Sequence, residues 1–162
     1  MRSGTRNLED QMTLVMGAST PGGMGPATAR RLKSEGAKVI VSRLGEDSLK
    51  VLVQEIGGLA FEADIRSKQA NVELAGFTLE HCGRIDLAVN HAGLTISNLI
   101  ADETEEHLLL MTEVNYFGTV WFIRAVADAM KEGGAIVTTS SLNAYDVSTG
   151  ACAYACAKAA AE

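Results

Sequence analysis

The stretch MTLVMGASTPGGMGPATARRLKSEG, residues 12–36, decides the fold of this chain. Residues 12–16 are a short apolar run that stops at a glycine-rich loop, which is typical of a buried strand. Residues 26–35 have a helix-forming composition. Pro26 stands in the first turn, where its missing N–H costs little, and Gly36 follows as a helix stop. The stretch therefore predicts a strand, a glycine loop and a helix in sequence.

The same alternation of apolar strands and helical segments continues along the rest of the chain. Further strands are predicted at residues 38–42, 58–63, 85–90 and 135–139. Helices are predicted over residues 46–56, 67–82 and 104–131, with Ser67 as the N-cap of the helix over residues 67–82. Strands separated by helices imply right-handed βαβ crossovers. The sequence therefore predicts an α/β fold, a doubly wound parallel sheet with helices on both faces.

The length and net charge of the chain limit the number of its domains and the kinds of partner it can bind. Its 162 residues, 47% of them hydrophobic, are enough for one domain with a real core. We expect that domain over residues 12–162, after a loose polar leader at residues 1–11. Fourteen basic and twenty acidic residues give a net charge of -6, which argues against a general nucleic-acid or anionic-membrane surface.

Cysteine usage and hydropathy argue against a disulfide framework, a metal site and a membrane span. The three cysteines form neither a disulfide framework nor a paired CxxC pattern, and no metal site is predicted. No apolar run approaches the roughly 20 residues that cross a bilayer, and the opening residues lack the apolar stretch of a signal peptide. We therefore expect a cytoplasmic protein with no membrane partner.

The loop at residues 17–25, GASTPGGMG, carries the first chemical signal. Glycines let a backbone turn tightly and approach a pyrophosphate, and the N-terminus of the following helix supplies free N–H donors and partial positive charge. An ordinary glycine turn is the alternative, because glycine also serves where φ is positive. The position between a strand and a helix favours a dinucleotide site.

Ser42 and Arg43 follow the second predicted strand, where dinucleotide-binding folds distinguish their cofactors. An acidic residue there bonds the adenosine ribose hydroxyls, whereas an arginine suits a 2′-phosphate. The pattern favours NADP(H) over NAD(H). A solvated surface arginine is the alternative for Arg43, and Glu46 or Asp47 could reach back toward the ribose.

A serine, a tyrosine and a lysine close to the end of the sequence form a candidate acid/base site. Ser141 precedes Tyr154 by thirteen residues, and Lys158 follows Tyr154 by four, which is one helical turn. A lysine ammonium beside a phenol favours the phenolate form. An ordinary pair of residues on a helix surface is the alternative.

Together these motifs resemble the classical short-chain dehydrogenase/reductase family, from residue 12 to Lys158. The family's motifs and its cofactor-contact positions correspond here to Met16, Gly17, Ser19, Gly23, Met24 and Gly25 in the glycine loop, Asp64 and Ile65 after the third strand, Asn90, His91, Ala92 and Gly93 after the fourth, Asn115 in the long helix, and Ser141, Tyr154 and Lys158.

The resemblance implies an oxidoreductase that interconverts a carbonyl and a secondary alcohol by hydride transfer with a nicotinamide cofactor. Ser141 would bond the substrate oxygen and Tyr154 would pass the proton. Lys158 would hold the nicotinamide ribose and assist Tyr154. Asn115 would hold a water linking Lys158 to solvent, although a structural bond to a neighbouring carbonyl is the alternative. His91 replaces the family's second asparagine, either as a structural group or in proton transfer.

The resemblance also bears on assembly and completeness. It implies a homodimer or homotetramer formed through the long helix and the Tyr154 helix. Members usually have roughly 250 residues, whereas this sequence ends four residues after Lys158. We therefore expect the last strands of the family fold to be absent, in a natural short form or a fragment. The alternative function is a non-catalytic or truncated nucleotide-binding or assembly protein that lacks a complete substrate site.

Overall fold

A computed structural model describes residues 8–18, 22–45 and 47–162 of the chain. The strands are β1 (Met12–Met16), β2 (Lys38–Arg43), β3 (Leu59–Glu62), β4 (Leu87–Asn90) and β5 (Ala135–Thr138). The helices are α1 (Met24–Ser34), α2 (Asp47–Ile56), α3 (Lys68–Cys82), α4 (Glu105–Thr112), α5 (Gly118–Ala129) and α6 (Cys152–Ala160). Short 3₁₀ turns lie at Ile100–Asp102 and Leu142–Ala144.

All five predicted strands are present and pair in parallel in the order β3-β2-β1-β4-β5. The order reverses at β1, because the chain builds outward through β2 and β3 and then crosses back to place β4 and β5 on the other side. Loops at the carboxyl ends of β1 and β4 therefore meet at this switch point, which is where open α/β sheets bind ligands. The predicted doubly wound fold is confirmed.

Two apolar layers enclose the sheet. Alternate residues of a strand point to opposite faces, so Leu14 packs in the layer with α3 and α5, while its neighbour Val15 packs in the layer with α1 and α2. Every residue of β1 is buried. The continuous apolar run that predicted this strand therefore reflects cover on both faces of the sheet.

The long helix predicted over residues 104–131 is not continuous. It begins at its N-cap Thr104, whose hydroxyl accepts a hydrogen bond from the His107 N–H, but a π-helical segment at Glu113–Phe117 separates α4 from α5. In this segment the Gly118 N–H bonds the Glu113 carbonyl, five residues back. Such π segments occur frequently at functional sites. The prediction of one uninterrupted helix was therefore wrong.

The expected leader and the sheet edge complete the fold. Residues 1–7 lie outside the described residues, whereas Leu8 donates its N–H to the Glu35 carbonyl and packs under α1 and α2. Residues 8–11 thus belong to the folded layer.

One edge of the sheet is formed by β5. It pairs only with β4 among the described strands, and Val137 is 50% exposed.

No helix in the described parts of the chain is both long and apolar enough to cross a membrane.

Candidate active site

Two glycines bring the backbone at the switch point into close contact. Gly17 has φ +86°, and a Cβ there would lie 2.4 Å from the Ala92 backbone nitrogen. A Cβ on Gly25 would lie 2.3 Å from the Gly17 carbonyl oxygen. Real Cβ atoms do not approach that closely, so β1, α1 and the segment after β4 meet only because these positions carry no side chain.

A cleft of about 420 Å³ opens beside these glycines at the carboxyl edge of the sheet. Six of the residues predicted to contact a cofactor line it: Gly17, Arg43, Asp64, Ile65, Ala92 and Gly93. Two motif residues without a predicted cofactor contact, Met16 and His91, also line it, and the lining is completed by residues outside the motifs: Leu44, Ala63, Arg66, Leu94, Leu110 and Val114. Residues far apart in the sequence thus form one continuous wall.

Other predicted cofactor residues support the cleft from behind. The Ser42 side chain is fully buried, so the expectation that it contacts a cofactor is corrected. Its carbonyl instead accepts hydrogen bonds from the N–H groups of Gly17 (2.8 Å) and Ala18 (3.1 Å). Asn90, also buried, accepts the Ala92 N–H at 2.9 Å. Both residues therefore hold the loops that form the wall.

Three more of the predicted contacts lie in the glycine loop. Ser19 lies outside the described residues, as do the two residues that follow it. Gly23 is the N-cap of α1, and the Met24 side chain is 59% exposed at its first turn. Neither residue lines the cleft, but α1 begins beside Gly17, as the motif predicts.

Charged side chains gather at the β2–β3 end of the cleft. Arg43, at the end of β2, donates from Nε to the Leu44 carbonyl oxygen at 2.8 Å. Asp64, just after β3, forms an ion pair with Arg66 at 2.6 Å. The hydrogen bond from the Arg66 guanidinium holds the pKa of the Asp64 carboxyl below its usual value. Asp64 is therefore an ionised acceptor in the cleft wall near neutral pH.

Asn115, Gly93 and Lys158 meet at the opposite end of the cleft. A Cβ on Gly93 would lie 3.1 Å from Asn115 Oδ1 and 3.5 Å from Lys158 Nζ. Asn115 is fully buried in the π segment. Its Oδ1 accepts the Leu94 N–H at 3.1 Å, and its Nδ2 donates to the carbonyls of Leu94 and Met111. These bonds favour the structural role over water binding by the side chain.

Lys158 is 4% exposed and donates from Nζ to the Thr139 carbonyl at 2.8 Å. Burial lowers the pKa of its ammonium group. Nζ lies 5.9 Å from the centre of the Tyr154 ring, one helical turn earlier in α6. The predicted pairing of these two residues on one helix face is therefore present in the structure, with Tyr154 the more exposed member.

Ser141 follows β5 and begins the 3₁₀ turn at Leu142–Ala144, which packs against α6. Its Oγ accepts the Asn143 N–H at 3.2 Å, so the hydroxyl hydrogen remains available to another acceptor. The turn thus brings Ser141 to the helix that carries Tyr154 and Lys158. None of the four predicted catalytic residues lines the described cleft, which extends only as far as Gly93 and Leu94. Lys158 lines a separate cavity of about 250 Å³ together with Thr139 and Ser140.

His91 connects the two ends of the site. Nδ1 lies 2.7 Å from the Thr139 hydroxyl, and Nε2 lies 2.8 Å from the Thr28 hydroxyl in α1. Desolvation lowers the pKa of the imidazole. Since both ring nitrogens have a protein partner, the contacts favour the structural alternative for His91. The histidine joins the helix after the glycine loop to the end of β5.

Three contributors to the site lie outside the motifs that the sequence analysis identified: Arg66, Leu94 and Thr139. Arg66 could have been suspected from its spacing of two residues from Asp64. Leu94 and Thr139 act through backbone groups, which every residue possesses, so no residue type could have identified them.

Comparison with known proteins agrees with this geometry. Residues 11–162 match the short chain dehydrogenase family. An uncharacterized oxidoreductase of Staphylococcus saprophyticus is 32% identical over 161 residues, which cover 94% of this chain and 68% of the relative. An uncharacterized oxidoreductase of Methylorubrum extorquens is 32% identical over 141 residues, covering 83% of this chain and 56% of the relative. The chain thus spans little more than half to about two thirds of these relatives.

Solved structures extend the match to three dimensions. A short chain dehydrogenase from Mycobacterium smegmatis superposes with a TM-score of 0.92 at 30% identity, covering 98% of this chain and 69% of the other. A short chain dehydrogenase from Burkholderia cenocepacia, solved in complex with NADP, gives 0.89 at 30% identity, covering 95% and 65%. This chain therefore belongs to the short-chain dehydrogenase/reductase family of NAD(P)-dependent oxidoreductases.

Proposed function

We propose that this chain carries the site of an oxidoreductase that uses NADP(H) to interconvert a carbonyl and a secondary alcohol. The observation that carries the proposal is that Asn115 and Lys158 meet Gly93 where the cleft ends, with Lys158 one helical turn from Tyr154. A buried ammonium group just beyond the end of the cleft can hold ribose hydroxyls and assist a neighbouring phenol.

The residues present fit a dinucleotide. Gly17 leaves no room for a Cβ against the backbone after β4, and on Gly93 a Cβ would crowd Asn115 and Lys158. The cleft wall at these positions is therefore bare backbone, which a phosphate or ribose can approach closely. When bound, the nicotinamide cofactor supplies or accepts the hydride.

Arg43 supports the preference for NADP(H). It lines the cleft at the end of β2, where a guanidinium can bind a 2′-phosphate. The NADP complex of the Burkholderia cenocepacia relative supports the same cofactor in a chain of this family. The preference follows from charge, because a carboxylate in place of Arg43 would repel the phosphate.

Proton transfer is assigned to Tyr154. Its phenol would give a proton to the oxygen of a carbonyl during reduction and take one from an alcohol during oxidation. The Lys158 ammonium, 5.9 Å from the ring centre, stabilises negative charge left on the phenol. The free hydroxyl hydrogen of Ser141 would donate to the same substrate oxygen, where negative charge develops during reduction.

Assembly is assigned to the helices beside the site. Several large apolar side chains on α4, the π segment and α5 are exposed: Leu108, Leu109, Phe117, Val120 and Ile123. We assign to this surface and α6 the contacts of a homodimer or homotetramer. Sedimentation velocity on the purified chain should show the oligomer, and Phe117→Lys should shift it toward monomer. A chain that sediments as a monomer at every concentration would contradict the assignment.

The experiment for the main proposal combines binding and turnover. NADPH and NADH are titrated by fluorescence, and carbonyl reduction is then assayed for the unaltered chain, Tyr154→Phe and the matched control Tyr145→Phe. Loss of general acid/base help typically slows the reaction by about 100- to 10,000-fold. We expect that loss for Tyr154→Phe with cofactor binding retained, and little change for Tyr145→Phe, whose ring is 76% exposed. Turnover unaffected by Tyr154→Phe would refute the proton-transfer role.

The cofactor preference has its own test. Arg43→Ala removes the positive charge and should weaken NADPH binding alone, whereas Arg43→Asp should also improve NADH binding. An unchanged ratio of NADPH to NADH affinity in both variants would refute the assignment to Arg43.

A nucleotide-binding chain without turnover is the second candidate. The described cleft does not reach Ser141 or Tyr154, which is the specific observation in its favour. Tight NADPH binding with no carbonyl reduction across a panel of ketones and aldehydes would support this candidate over the first.

A further inference from the structure

Glu103 is a buried carboxylate that the proposed reaction does not use. It follows the 3₁₀ turn at Ile100–Asp102, and its side chain is only 4% exposed. Its Oε1 accepts hydrogen bonds from Nδ1 of His107, in the first turn of α4, and from Asn98 Nδ2 at 3.1 Å. The hydrogen bond from His107 holds the pKa of the Glu103 carboxyl below its usual value. Through one oxygen, an ionised carboxylate therefore joins the loop before it to the helix after it.

The other oxygen of this carboxylate shows that the arrangement is costly. Glu103 Oε2 is buried with no hydrogen-bond partner among the described residues, and so is His107 Nε2. Burial of a charged oxygen without a hydrogen bond costs free energy. Replacement of a buried ion pair by well-packed apolar residues is often neutral or stabilising. Stability therefore does not explain the pair, and the groups that it holds indicate its role.

Asn98 extends the contact from Glu103 to the segment before α6. Its Nδ2 donates to Glu103 and to the Asp102 carbonyl, the latter at 2.9 Å, and its backbone N–H donates to the Gly150 carbonyl at 2.9 Å. Gly150 has φ +78°, and a Cβ there would lie 2.4 Å from Ser97 Oγ. The two segments are therefore in close contact, and Glu103 fixes the side chain of the residue whose backbone joins them.

The segment that ends at Gly150 also holds Ser141. Within it, the Ser148 N–H donates to Asn143 Oδ1 at 2.8 Å, and the Asn143 N–H donates to Ser141 Oγ at 3.2 Å. These bonds fold residues 141–150 into one loop, which we call the serine loop. Its first residue is the predicted donor to the substrate oxygen, and its last residue is held from outside the loop. A shift at the last residue can therefore move the Ser141 hydroxyl.

We propose that Glu103 is a positioning residue for the reaction, and that it acts on Ser141 through Asn98 and the serine loop. The inference rests on the proposed function, in which the Ser141 hydroxyl donates to the substrate oxygen. Such a donor stabilises the developing charge only where it is correctly placed, so a displaced hydroxyl lowers the rate without weakening cofactor binding. Glu103 does not line the cleft, so its effect reaches the reaction only through the residues that it holds.

The first test is a double-mutant cycle between Glu103 and Ser141, measured as kcat for carbonyl reduction. Ser141→Ala should lower kcat by about 100- to 1,000-fold, the usual effect of removing one donor to a developing oxyanion. Glu103→Ala should lower kcat on the order of tenfold, with the dissociation constant for NADPH unchanged. In a chain that already carries Ser141→Ala, Glu103→Ala should have no further effect on kcat. Additive losses in the double variant would overturn the proposal, because they assign the damage to a group other than Ser141.

Further variants separate positioning from general damage. Glu103→Gln keeps an oxygen that accepts from Asn98, so its kcat should stay within about threefold of the unaltered chain. Asn98→Ala removes the same contact from the other side and should match Glu103→Ala, and it replaces Glu103→Ala in the cycle if that variant does not fold. Glu105→Ala is the matched control, because it removes a carboxylate from an exposed side chain in the first turn of α4 and should leave kcat unchanged. A loss in Glu103→Gln or Glu105→Ala equal to that in Glu103→Ala would overturn the proposal.

Hydrogen exchange follows the same contacts without any turnover. The backbone amides of Asn98, Asn143 and Ser148 each donate a hydrogen bond along them. In Glu103→Ala these three amides should exchange at least about fivefold faster, whereas the amides of β1 and β2 should not change. Unchanged exchange at all three would overturn this inference and leave the proposed function standing. An unaltered chain that reduces no carbonyl overturns the proposed function, and the inference with it.

Discussion

The two ends of the cleft are held together by different kinds of contact. At the nucleotide end, β1 and α1 meet through backbone atoms, with Gly17 and Gly25 leaving no space for a Cβ. At the catalytic end, the π segment, β5 and α6 meet through buried polar side chains, chiefly Asn115 and Lys158. Backbone packing carries no charge, whereas buried polar groups must each find a partner.

This difference predicts how each end fails. The contact between Gly17 and Gly25 at the nucleotide end should respond mainly to the volume of an added side chain, because any side chain there overlaps its neighbours. The catalytic end should respond to the loss of single hydrogen bonds and to pH, since its ammonium and imidazole groups have shifted pKa values.

Gly25→Val should have the largest effect. Its Cβ would overlap the Gly17 carbonyl and must push α1 away from β1, which we expect to cost more than about 3 kcal/mol of unfolding free energy. Gly76→Ala is the control, because no atom outside the backbone of its own helix α3 lies within 4 Å of the added Cβ, and it should stabilise by up to about 1 kcal/mol. Urea denaturation measures both. Similar free energies of unfolding for the two variants would contradict close packing between Gly25 and the Gly17 carbonyl.

Asn115→Ala tests the catalytic end. The change leaves the N–H of Leu94 and the carbonyls of Leu94 and Met111 without their side-chain partner inside the protein. We expect a loss of about 2–3 kcal/mol, because each buried unsatisfied group carries a desolvation penalty. Asn115→Asp should be no better, since a carboxylate cannot donate to either carbonyl. A melting temperature of either variant close to that of the unaltered chain, measured by calorimetry, would contradict the stabilising role of the Asn115 hydrogen bonds.

Lys158→Met should stabilise the chain while weakening cofactor binding. Folding lowers the pKa of Lys158. At pH values between the pKa of Lys158 in the folded chain and its pKa in the unfolded chain, the unfolded chain binds more protons, so the free energy of unfolding rises with pH. Replacing the buried ammonium should therefore gain about 1 kcal/mol at pH 7, offset in part by the lost bond to Thr139. Urea melts at pH 7 and pH 10 should show the gain shrinking. A variant less stable at pH 7 would contradict the cost assigned to the buried charge.

His91 joins the two ends and should give the smallest effect. Burial lowers its pKa from 6.5, so as pH falls through that value the unfolded chain takes up a proton first, and stability is lost. The slope contributed by one such group is at most about 1.4 kcal/mol per pH unit. His91→Asn should therefore flatten the dependence of the melting temperature on pH between 7 and 5. An equally steep dependence in the variant would assign the acid sensitivity to other groups.

Much of this architecture follows from local patterns. The buried run at residues 12–16, the glycine stop at Gly36 and the N-cap Ser67 each act within a few residues, so the sequence alone predicted the elements they mark. The separation of four residues between Tyr154 and Lys158 likewise predicted a shared helix face. These features depend on the neighbouring chain and not on the tertiary fold.

Other features depend on distant partners and could not be predicted. The carbonyl of Thr139 serves Lys158 only because β5 ends beside α6, and any residue could supply a carbonyl. The position of Ser42 near the end of its strand predicted a contact with the cofactor, but its side chain is fully buried in the folded chain. Arg66 acquires its role from Asp64 and the cleft together. Such roles belong to the assembled fold.

The π segment at Glu113–Phe117 changes the phase of the helix that contains it. A segment with a bond five residues back holds one residue more than an α-helix of the same rise, and each residue turns the chain by about 100°. A helical wheel drawn across residues 105–129 therefore assigns the wrong side of α5 to the sheet if it is aligned on α4. Removal of one residue from this segment would restore a regular helix of the same rise. Such a helix would keep the same side of α5 against the sheet, but it would change the directions of the segment's own side chains, Asn115 among them.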